Sequence, residues 1–123
     1  MCIRDRLQAC KKCSDRGYAN AIDGRRISVD KGHKFLNYLL QGGAAVIAKR
    51  WMVGAHRNIE MSNMVCHQLA FIHDELQFEC DPKHVEDLKS ILELSAVEAG
   101  EYYNMRIPIA AEAKDGLTWA DTH

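Results

Sequence analysis

The sequence predicts an α+β fold in which an antiparallel sheet is covered by helices. Three observations predict this class. Two short strand-like runs flank an Asp-Gly turn, a long stretch with helical periodicity follows, and a second pair of strand-like runs flanks an acidic turn. A chain of 123 residues is enough for one small domain. We expect two β-hairpins plus a C-terminal strand, packed with a long helix and a second, amphipathic helix.

The first hairpin is predicted between residues 18 and 29. Residues 18–22 and 25–29 are strand-like, and Asp23-Gly24 lies between them. Asp-Gly is a strong hairpin signal because a type I′ turn needs positive φ at both central residues. Upstream, residues 7–16 are polar and basic and are typical of the last turns of a helix, which Gly17 would end.

The long helix is predicted from about His33 to Ile59. Its expected apolar stripe contains Leu36, Leu40, Gly43, Ile47 and Trp51, with Leu39, Val46 and Val53 beside it. A glycine inside a helix costs about 1 kcal/mol relative to alanine. The adjacent Gly42 and Gly43 therefore indicate that something packs very close, either another helix, a sheet or the backbone of a ligand.

The second half of the chain is predicted to contain a hairpin, a helix and a strand. Residues 65–72 fit a buried strand, and residues 76–80 alternate as a half-exposed one. Asp81-Pro82 begins a helix well, with Asp as N-cap and Pro in the first turn. The expected buried face of this helix is Val85, Leu88, Leu92, Ser95 and Ala99. Residues 107–111 are predicted to form a final apolar strand, before a loop anchored by Trp119.

Composition excludes several classes of protein. The formal net charge is −1, whereas a freestanding DNA-binding domain usually has a basic excess. No apolar run is long enough to span a membrane. Five cysteines at irregular spacing favour reduced thiols in a cytoplasmic protein. A zinc site made by Cys10 and Cys13 with one or two of Cys66, His67 or Cys80 is the alternative, although we expect no zinc.

The acidic turn His73-Asp74-Glu75 is the most informative candidate site. Adjacent carboxylates repel each other, and a divalent cation removes that cost. Mg²⁺ is typically held by one or two carboxylates together with waters and substrate phosphates. Because adjacent strand residues point in opposite directions, we expect only one of the pair to face a given metal. A solvated turn is the alternative interpretation.

Two further groups are candidates for contacts with nucleic acid. Asn37 and Gln41 lie four apart on one face of the long helix, where long amides reach base edges in a minor groove. Arg25 and Arg26 follow the Asp-Gly turn and are suited to phosphates. Ordinary polar positions on a surface helix, and a solvated charged hairpin, are the alternatives.

Four motifs in fixed order resemble the C-terminal part of family A (polymerase I type) DNA polymerases. They are Asp23-Gly24-Arg25-Arg26, Leu36-Asn37-x-x-x-Gln41-Gly42-x-Ala44-Ala45, Ile72-His73-Asp74-Glu75-Leu76 and Trp119-x-x-x-His123. The short link between Arg26 and Asn37, and Gln77 after the acidic turn, look more like the phage branch. The resemblance implies that residues 7–123 are part of a polymerase palm. Residues 1–6 fit nothing that follows and are interpreted as a non-native artefact.

The resemblance also implies roles for single residues. Asp74 matches the palm aspartate that binds catalytic Mg²⁺, Glu75 its acidic neighbour, and His73 the residue that touches the primer end. Asn37 and Gln41 match minor-groove contacts, and Arg25 and Arg26 match a basic segment near the primer–template backbone. His123 matches a C-terminal histidine near the active site. The implied chemistry is two-metal nucleotidyl transfer to primer–template DNA from a dNTP.

The sequence departs from the family in what it lacks. We find no second palm aspartate in an Asp-x-Ser-x-x-Glu context and no fingers helix of the form Arg-x-x-x-Lys-x-x-x-Phe-x-x-x-Tyr-Gly. The thumb is missing as well. We therefore expect the isolated chain to be inactive and to fold marginally. The alternative function is a freestanding, catalytically dead DNA-binding module.

Overall fold

A computed structural model describes residue 8, residues 11 and 12, and residues 15–122. Its strands and α-helices are β1 Tyr18–Asn20, β2 Arg26–Ser28, α1 Phe35–Met61, β3 Cys66–Ile72, β4 Glu75–Cys80 and α2 Val85–Tyr102. The chain forms two compact units, Met1–Val46 and Ile47–His123. The predicted α+β class is confirmed, with two antiparallel hairpins, a long helix and a second helix in the expected order.

The sheet differs from the prediction in two ways. β1–β2 and β3–β4 form two separate two-stranded sheets instead of one. Residues 107–111 form no strand, so the predicted C-terminal strand is wrong. Ile109 packs on α2 instead, so closely that a Cβ on Gly100 would lie 2.7 Å from Ile109 Cγ1. This apolar segment therefore buries side-chain surface against a helix and does not add a strand to a sheet.

The first hairpin is present, but its turn is not type I′. β1 pairs with β2 in a register that sets Ala19 opposite Ile27. Ala21 N donates to Arg25 O at 2.7 Å, and within the three-residue loop only Gly24 has a positive φ, of 84°. The physical reason is the Asp23 side chain, whose Oδ1 accepts a hydrogen bond from Arg25 N at 3.2 Å. That Asx turn favours a three-residue loop with its left-handed position at the glycine.

The core of the first unit lies between this hairpin and the start of α1. Its buried side chains are Ala19, Val29 and Phe35, and the half-buried Tyr38 and Leu39 pack against them. A Cβ on Gly42 would lie 2.8 Å from Ile27 Cδ1, and one on Gly43 would lie 3.8 Å from Ile22 Cγ2. The close neighbour predicted from the two glycines is therefore the β1–β2 sheet.

The buried face of α1 differs from the predicted stripe. Leu40 is 62% exposed and Val53 41%, although both were predicted to be apolar-face residues. The buried residues of the helix are Phe35, Val46, Ala48, Ala55 and Ile59, together with Gly43. Because apolar residues occur on most sides of α1, periodicity alone could not fix which side packs.

The core of the second unit lies between the end of α1, α2 and the second hairpin. Its buried residues are Ala55, Ile59, Leu88 and Leu92. Trp51 Nε1 donates a hydrogen bond to Leu92 O at 2.8 Å and so ties the two helices together. None of the helices in the described part of the chain is long and apolar enough to cross a membrane.

The second hairpin and α2 begin and end close to the residues that the sequence predicts. Asp81 caps the Pro82–His84 3₁₀ turn that leads into α2, and its Oδ1 accepts from Lys83 N at 3.3 Å. The buried residues of α2 include Leu88, Leu92, Ser95 and Ala99 as predicted, whereas Val85 is half-buried. The prediction that β3 is buried is wrong, because Leu69 is 61% exposed. Within residues 15–122, β3 pairs only with β4, so much of its surface remains uncovered.

The segment after α2 lies along that helix. Ala113 N donates to Glu93 Oε1 at 3.2 Å, and Lys89 Nζ donates to Asp115 Oδ1 at 3.0 Å. Trp119 begins a 3₁₀ turn and is 56% exposed.

Candidate functional site

The acidic turn forms the tip of the β3–β4 hairpin. Ile72 pairs with Glu75, so the loop between the strands contains only His73 and Asp74. His73 has a φ of 55°, and both loop side chains are exposed. Histidine and aspartate are among the non-glycine residues most often found in the left-handed region, which suits them to such a short loop. The hairpin therefore presents the Asp74 carboxylate to solvent at its end.

Glu75 differs from Asp74 in its surroundings. It is the first residue of β4 and is half-buried. Its Oε1 accepts a hydrogen bond from Gln77 Nε2, two residues along the same strand. Residues 75 and 77 are two apart on β4, so their side chains lie on the same face of that strand. The two adjacent carboxylates therefore differ: Asp74 is exposed at the tip, whereas Glu75 accepts a hydrogen bond along the strand.

The oxygen donors at the tip suit Mg²⁺ only in part. A carboxylate is the ligand type that this ion prefers, and one or two are sufficient when waters and phosphates complete the shell. Asp74 is such a ligand. In the described ranges, no group of three or more His, Cys, Asp or Glu side chains is arranged to hold a metal ion. These residues therefore fit one side of a magnesium site that needs further oxygen ligands.

Asn37 and Gln41 lie on the exposed side of α1. Both side chains are exposed, and Ala44 and Ala45 further along the helix are exposed as well. Among residues 15–122, neither amide has a hydrogen-bond partner. The small alanines leave room beside the two amides, which can donate to and accept from an external group.

The two arginines of the first hairpin are not equivalent. Arg25 Nε forms an ion pair with Asp23 Oδ2, so much of its charge is compensated locally. Arg26 instead lies over the ring of Tyr18, with its guanidinium carbon 4.6 Å from the ring centroid. No carboxylate in the described part of the chain forms an ion pair with Arg26. Arg26 is therefore the better placed of the two for an external phosphate.

Tyr18 was missed by the sequence analysis. Its ring also contacts Arg16, whose guanidinium carbon lies 5.4 Å from the centroid, so one aromatic ring holds two cations. Such contacts are worth about 0.5–1 kcal/mol at exposed sites. The available signal was an aromatic residue in a strand predicted to pair with a strand carrying Arg26.

The candidate residues fall into separate groups. Arg25, Arg26, Asn37 and Gln41 belong to Met1–Val46, and the turn at residues 73–75 belongs to Ile47–His123. Within the first unit, Ile27 lies against Gly42. Ile27 directly follows the candidate residue Arg26 in the sequence, and Gly42 directly follows the candidate residue Gln41. His123, Cys10 and Cys13 lie outside the described residues, as do residues 1–6.

Comparison with known proteins identifies the class of protein. The sequence pattern of DNA polymerase family A matches residues 6–121. The chain therefore belongs to DNA polymerase family A.

Particular relatives come from phages and from bacteria. The DNA-directed DNA polymerase of Escherichia phage Phieco32 is 35% identical over an alignment 129 positions long, which covers 99% of this chain and 21% of that protein. The DNA-directed DNA polymerase of Escherichia phage T7 is 29% identical, over 88% of this chain and 16% of that protein. The POL domain of Pol1 from M. smegmatis, solved in complex with DNA primer-template and dNTP, superposes with a TM-score of 0.75. It is 25% identical over 86% of this chain and 20% of that chain. The chain thus spans about a fifth of the length of these relatives.

Proposed function

We propose that residues 7–123 are part of the palm of a DNA-directed DNA polymerase and that this part does not polymerise DNA by itself. The family match and the relatives named DNA-directed DNA polymerase support the activity of the parent enzyme. The observation that carries the proposal is the exposed Asp74 carboxylate at the tip of a hairpin whose strands pack on the α2 core. A two-residue loop between paired strands holds a metal ligand more firmly than a long loop would.

In this proposal the hairpin tip contributes to a magnesium site. Asp74 is the principal ligand, and Glu75 has a secondary part because one of its oxygens already accepts from Gln77. His73 contacts the primer end from the same loop. Bound Mg²⁺ would lower the pKa of the primer 3′-hydroxyl and neutralise charge on the triphosphate. These residues would hold the metal ion and orient the primer end, and such positioning is most of what a protein supplies in phosphoryl transfer.

The first unit contributes the contacts with the duplex. Asn37 and Gln41 present unpaired amides that can bind the acceptors of a minor groove whichever base pair is present. Arg26, stacked on Tyr18, and to a lesser degree Arg25 bind the phosphate backbone, and His123 lies near the active site. The partners are primer–template DNA, a dNTP and the fingers, thumb and remaining palm of the whole enzyme, in the cytoplasm of a bacterium or an infected host cell.

Primer extension tests the proposed inactivity. The purified chain, supplied with Mg²⁺, primer–template and dNTPs, is expected to add no nucleotide. One aspartate cannot position two ions, and the sequence contains no fingers-helix motif to bind the triphosphate. The Asp74→Ala variant serves as the matched control for a contaminating polymerase. Incorporation by the chain that disappears in Asp74→Ala would contradict the proposal.

DNA binding tests the proposed contacts and the alternative function together. With a net charge of −1, the chain should bind labelled primer–template only non-specifically, with a Kd on the order of 10⁻⁴ M or weaker. Arg26→Ala should weaken this binding further, whereas Arg106→Ala, which removes an exposed arginine outside the proposed contacts, should change it less. Tight, salt-sensitive binding that Asn37→Ala with Gln41→Ala abolishes would favour a freestanding DNA-binding module instead.

A further inference from the structure

Cys66 and Cys80 face each other at the open end of the β3–β4 hairpin. They are partners in the antiparallel register, at the first residue of β3 and the last residue of β4. Both thiols are free and half-buried. Both side chains pack against the same buried cluster, so they leave the hairpin on the same face.

The register also determines how far apart the two residues lie. Ile72 and Glu75 flank a two-residue loop and so form the hydrogen-bonded pair that closes the turn. Hydrogen bonding to the partner strand alternates along an antiparallel strand. The irregularity at Leu69 is on β3, so counting along β4 from Glu75 sets Cys80 at a non-hydrogen-bonded position. Paired Cα atoms are about 4.5 Å apart at such positions, within the range of about 4.4–6.8 Å that a disulfide spans.

We propose that Cys66 and Cys80 form an intramolecular disulfide when the chain meets a small disulfide oxidant such as glutathione disulfide. The thiolate of one cysteine attacks the oxidant, forms a mixed disulfide and releases one glutathione thiol. The thiolate of the other attacks the protein sulfur of that mixed disulfide and releases the second glutathione thiol. The two cysteines lose two protons and two electrons, and one glutathione disulfide is reduced to two thiols.

The same environment determines how the bond has to be tested. Burial raises the pKa of both thiols. The nearby Cys80 raises the pKa of Cys66 further, and the adjacent Asp81 raises the pKa of Cys80 further. Because the thiolate is the attacking form, oxidation is slower than at an exposed cysteine. A measurement at equilibrium therefore reports the pairing geometry, whereas a rate would report mainly the burial.

The disulfide would join β3 to β4 at the end of the hairpin opposite to His73 and Asp74. The irregularity at Leu69 lies between the two ends and is where the register can shift. A disulfide between Cys66 and Cys80 would hold the two strands together on the side of this irregularity that lies away from the turn. Amide hydrogen exchange within β3 and β4 should accordingly be slower in the oxidised chain than in the reduced chain.

The experiment equilibrates the full 123-residue chain in a glutathione redox buffer, with and without denaturant, and traps free thiols by alkylation. Digestion with trypsin and a protease that cleaves after glutamate cuts at Glu75 and Glu79, which separate the two cysteines. We expect the Cys66–Cys80 linked peptides to be at least tenfold more abundant under native conditions than in denaturant. A parallel chain carrying Cys2→Ser, Cys10→Ser and Cys13→Ser should give the same result.

Two controls decide between pairing and chance oxidation. In Cys66→Ser the linked peptides should disappear and Cys80 should carry a glutathione adduct instead. Glutathione adducts or links between chains at Cys66 and Cys80 in the unsubstituted chain, without the internal link, would overturn the proposal. Linked peptides that are no more abundant in native buffer than in denaturant would overturn it as well, since the fold would then contribute nothing to the pairing.

Discussion

Gly42 and Gly43 illustrate how a missing Cβ lets a hairpin lie against a helix. Both were recognisable from the sequence as costly residues inside a helix, which predicted a close neighbour. The structure identifies that neighbour as the side chains of Ile27 and Ile22. The two positions are not equally crowded, so they respond differently to substitution.

We expect Gly42→Leu to lower the free energy of unfolding of the first unit by about 1–3 kcal/mol, because even a Cβ there would lie 2.8 Å from Ile27 Cδ1. Gly43→Ala should raise that free energy by about 0.5–1 kcal/mol, because its Cβ meets only ordinary contact at 3.8 Å and alanine favours the helix. Urea unfolding followed by circular dichroism measures both. Equal effects at the two positions would contradict the packing described.

Asp81 gives a prediction for pH. Its pKa lies below the ordinary value of 3.8, chiefly because the side chain of Lys83 and then the backbone of Lys83 donate to the carboxylate. A carboxylate with a lowered pKa contributes stability above its unfolded pKa and loses that contribution as the pH falls through its folded pKa. The difference in melting temperature between the wild type and Asp81→Ala should therefore be full at neutral pH and shrink below about pH 3.8. A difference that grows on acidification would contradict this assignment.

The candidate site shows the same division between what residue types predict and what they do not. The exposed position of Asp74 followed from an acidic interruption between two strands. The ion pair of Arg25 with Asp23 and the stacking of Arg26 on Tyr18 did not, because side-chain partners depend on loop geometry and on cross-strand register.

At the scale of elements, the positions of the turns and of one helix start were predictable from the sequence, whereas the packing of the elements was not. Asp-Gly, His-Asp and Asp-Pro each mark a turn or a helix start, since these residues have specific backbone preferences. The apolar segment at 107–111 was predicted as a strand because a short apolar run does not reveal its partner. The buried face of α1 was predicted only in part: Gly43 and Val46 are buried as expected, whereas Leu40 and Val53 are exposed, because apolar residues occur on most sides of that helix.

The contact between α2 and the segment that follows it can be tested at Gly100. Its added Cβ would lie 2.7 Å from Cγ1, 3.0 Å from Cβ and 3.3 Å from the backbone N of Ile109, and the last two atoms cannot move without moving the backbone. Gly100→Ala should therefore destabilise the second unit by about 1–3 kcal/mol and increase amide hydrogen exchange at residues 107–115. Gly54→Ala is the matched control, because its Cβ would lie 3.9 Å from Ser95 Cβ. Unchanged exchange in Gly100→Ala would contradict the packing of Ile109.

At the scale of the whole chain, the two compact units have separate small cores. The first depends on Phe35 with Ala19 and Val29, and the second on Leu88 and Leu92 with residues from the end of α1. Large apolar side chains remain exposed, among them Leu40, Val65, Leu69 and Ile107. Uncovered apolar surface and small cores both favour the marginal stability that the sequence predicted.

Unfolding should therefore not be a single transition. Both tryptophans, Trp51 and Trp119, belong to Ile47–His123, so tryptophan fluorescence reports that unit while circular dichroism reports both. The two probes should give transitions that do not coincide. Phe35→Ala should shift mainly the transition seen by circular dichroism, and Leu92→Ala the fluorescence transition. Coincident transitions that both substitutions shift equally would show one cooperative domain instead.

The central claim is that the exposed carboxylate at the hairpin tip is a ligand for a catalytic divalent cation. Mn²⁺ prefers the same oxygen ligands as Mg²⁺, and it broadens the NMR signals of nearby amides. The most direct test is to titrate the isotope-labelled chain with Mn²⁺ and to compare the wild type with Asp74→Asn and with Glu79→Gln as the matched control. The account predicts weak binding that broadens the amides of residues 73–75 first, is lost in Asp74→Asn and is retained in Glu79→Gln. Broadening centred elsewhere, or unchanged by Asp74→Asn, would contradict it.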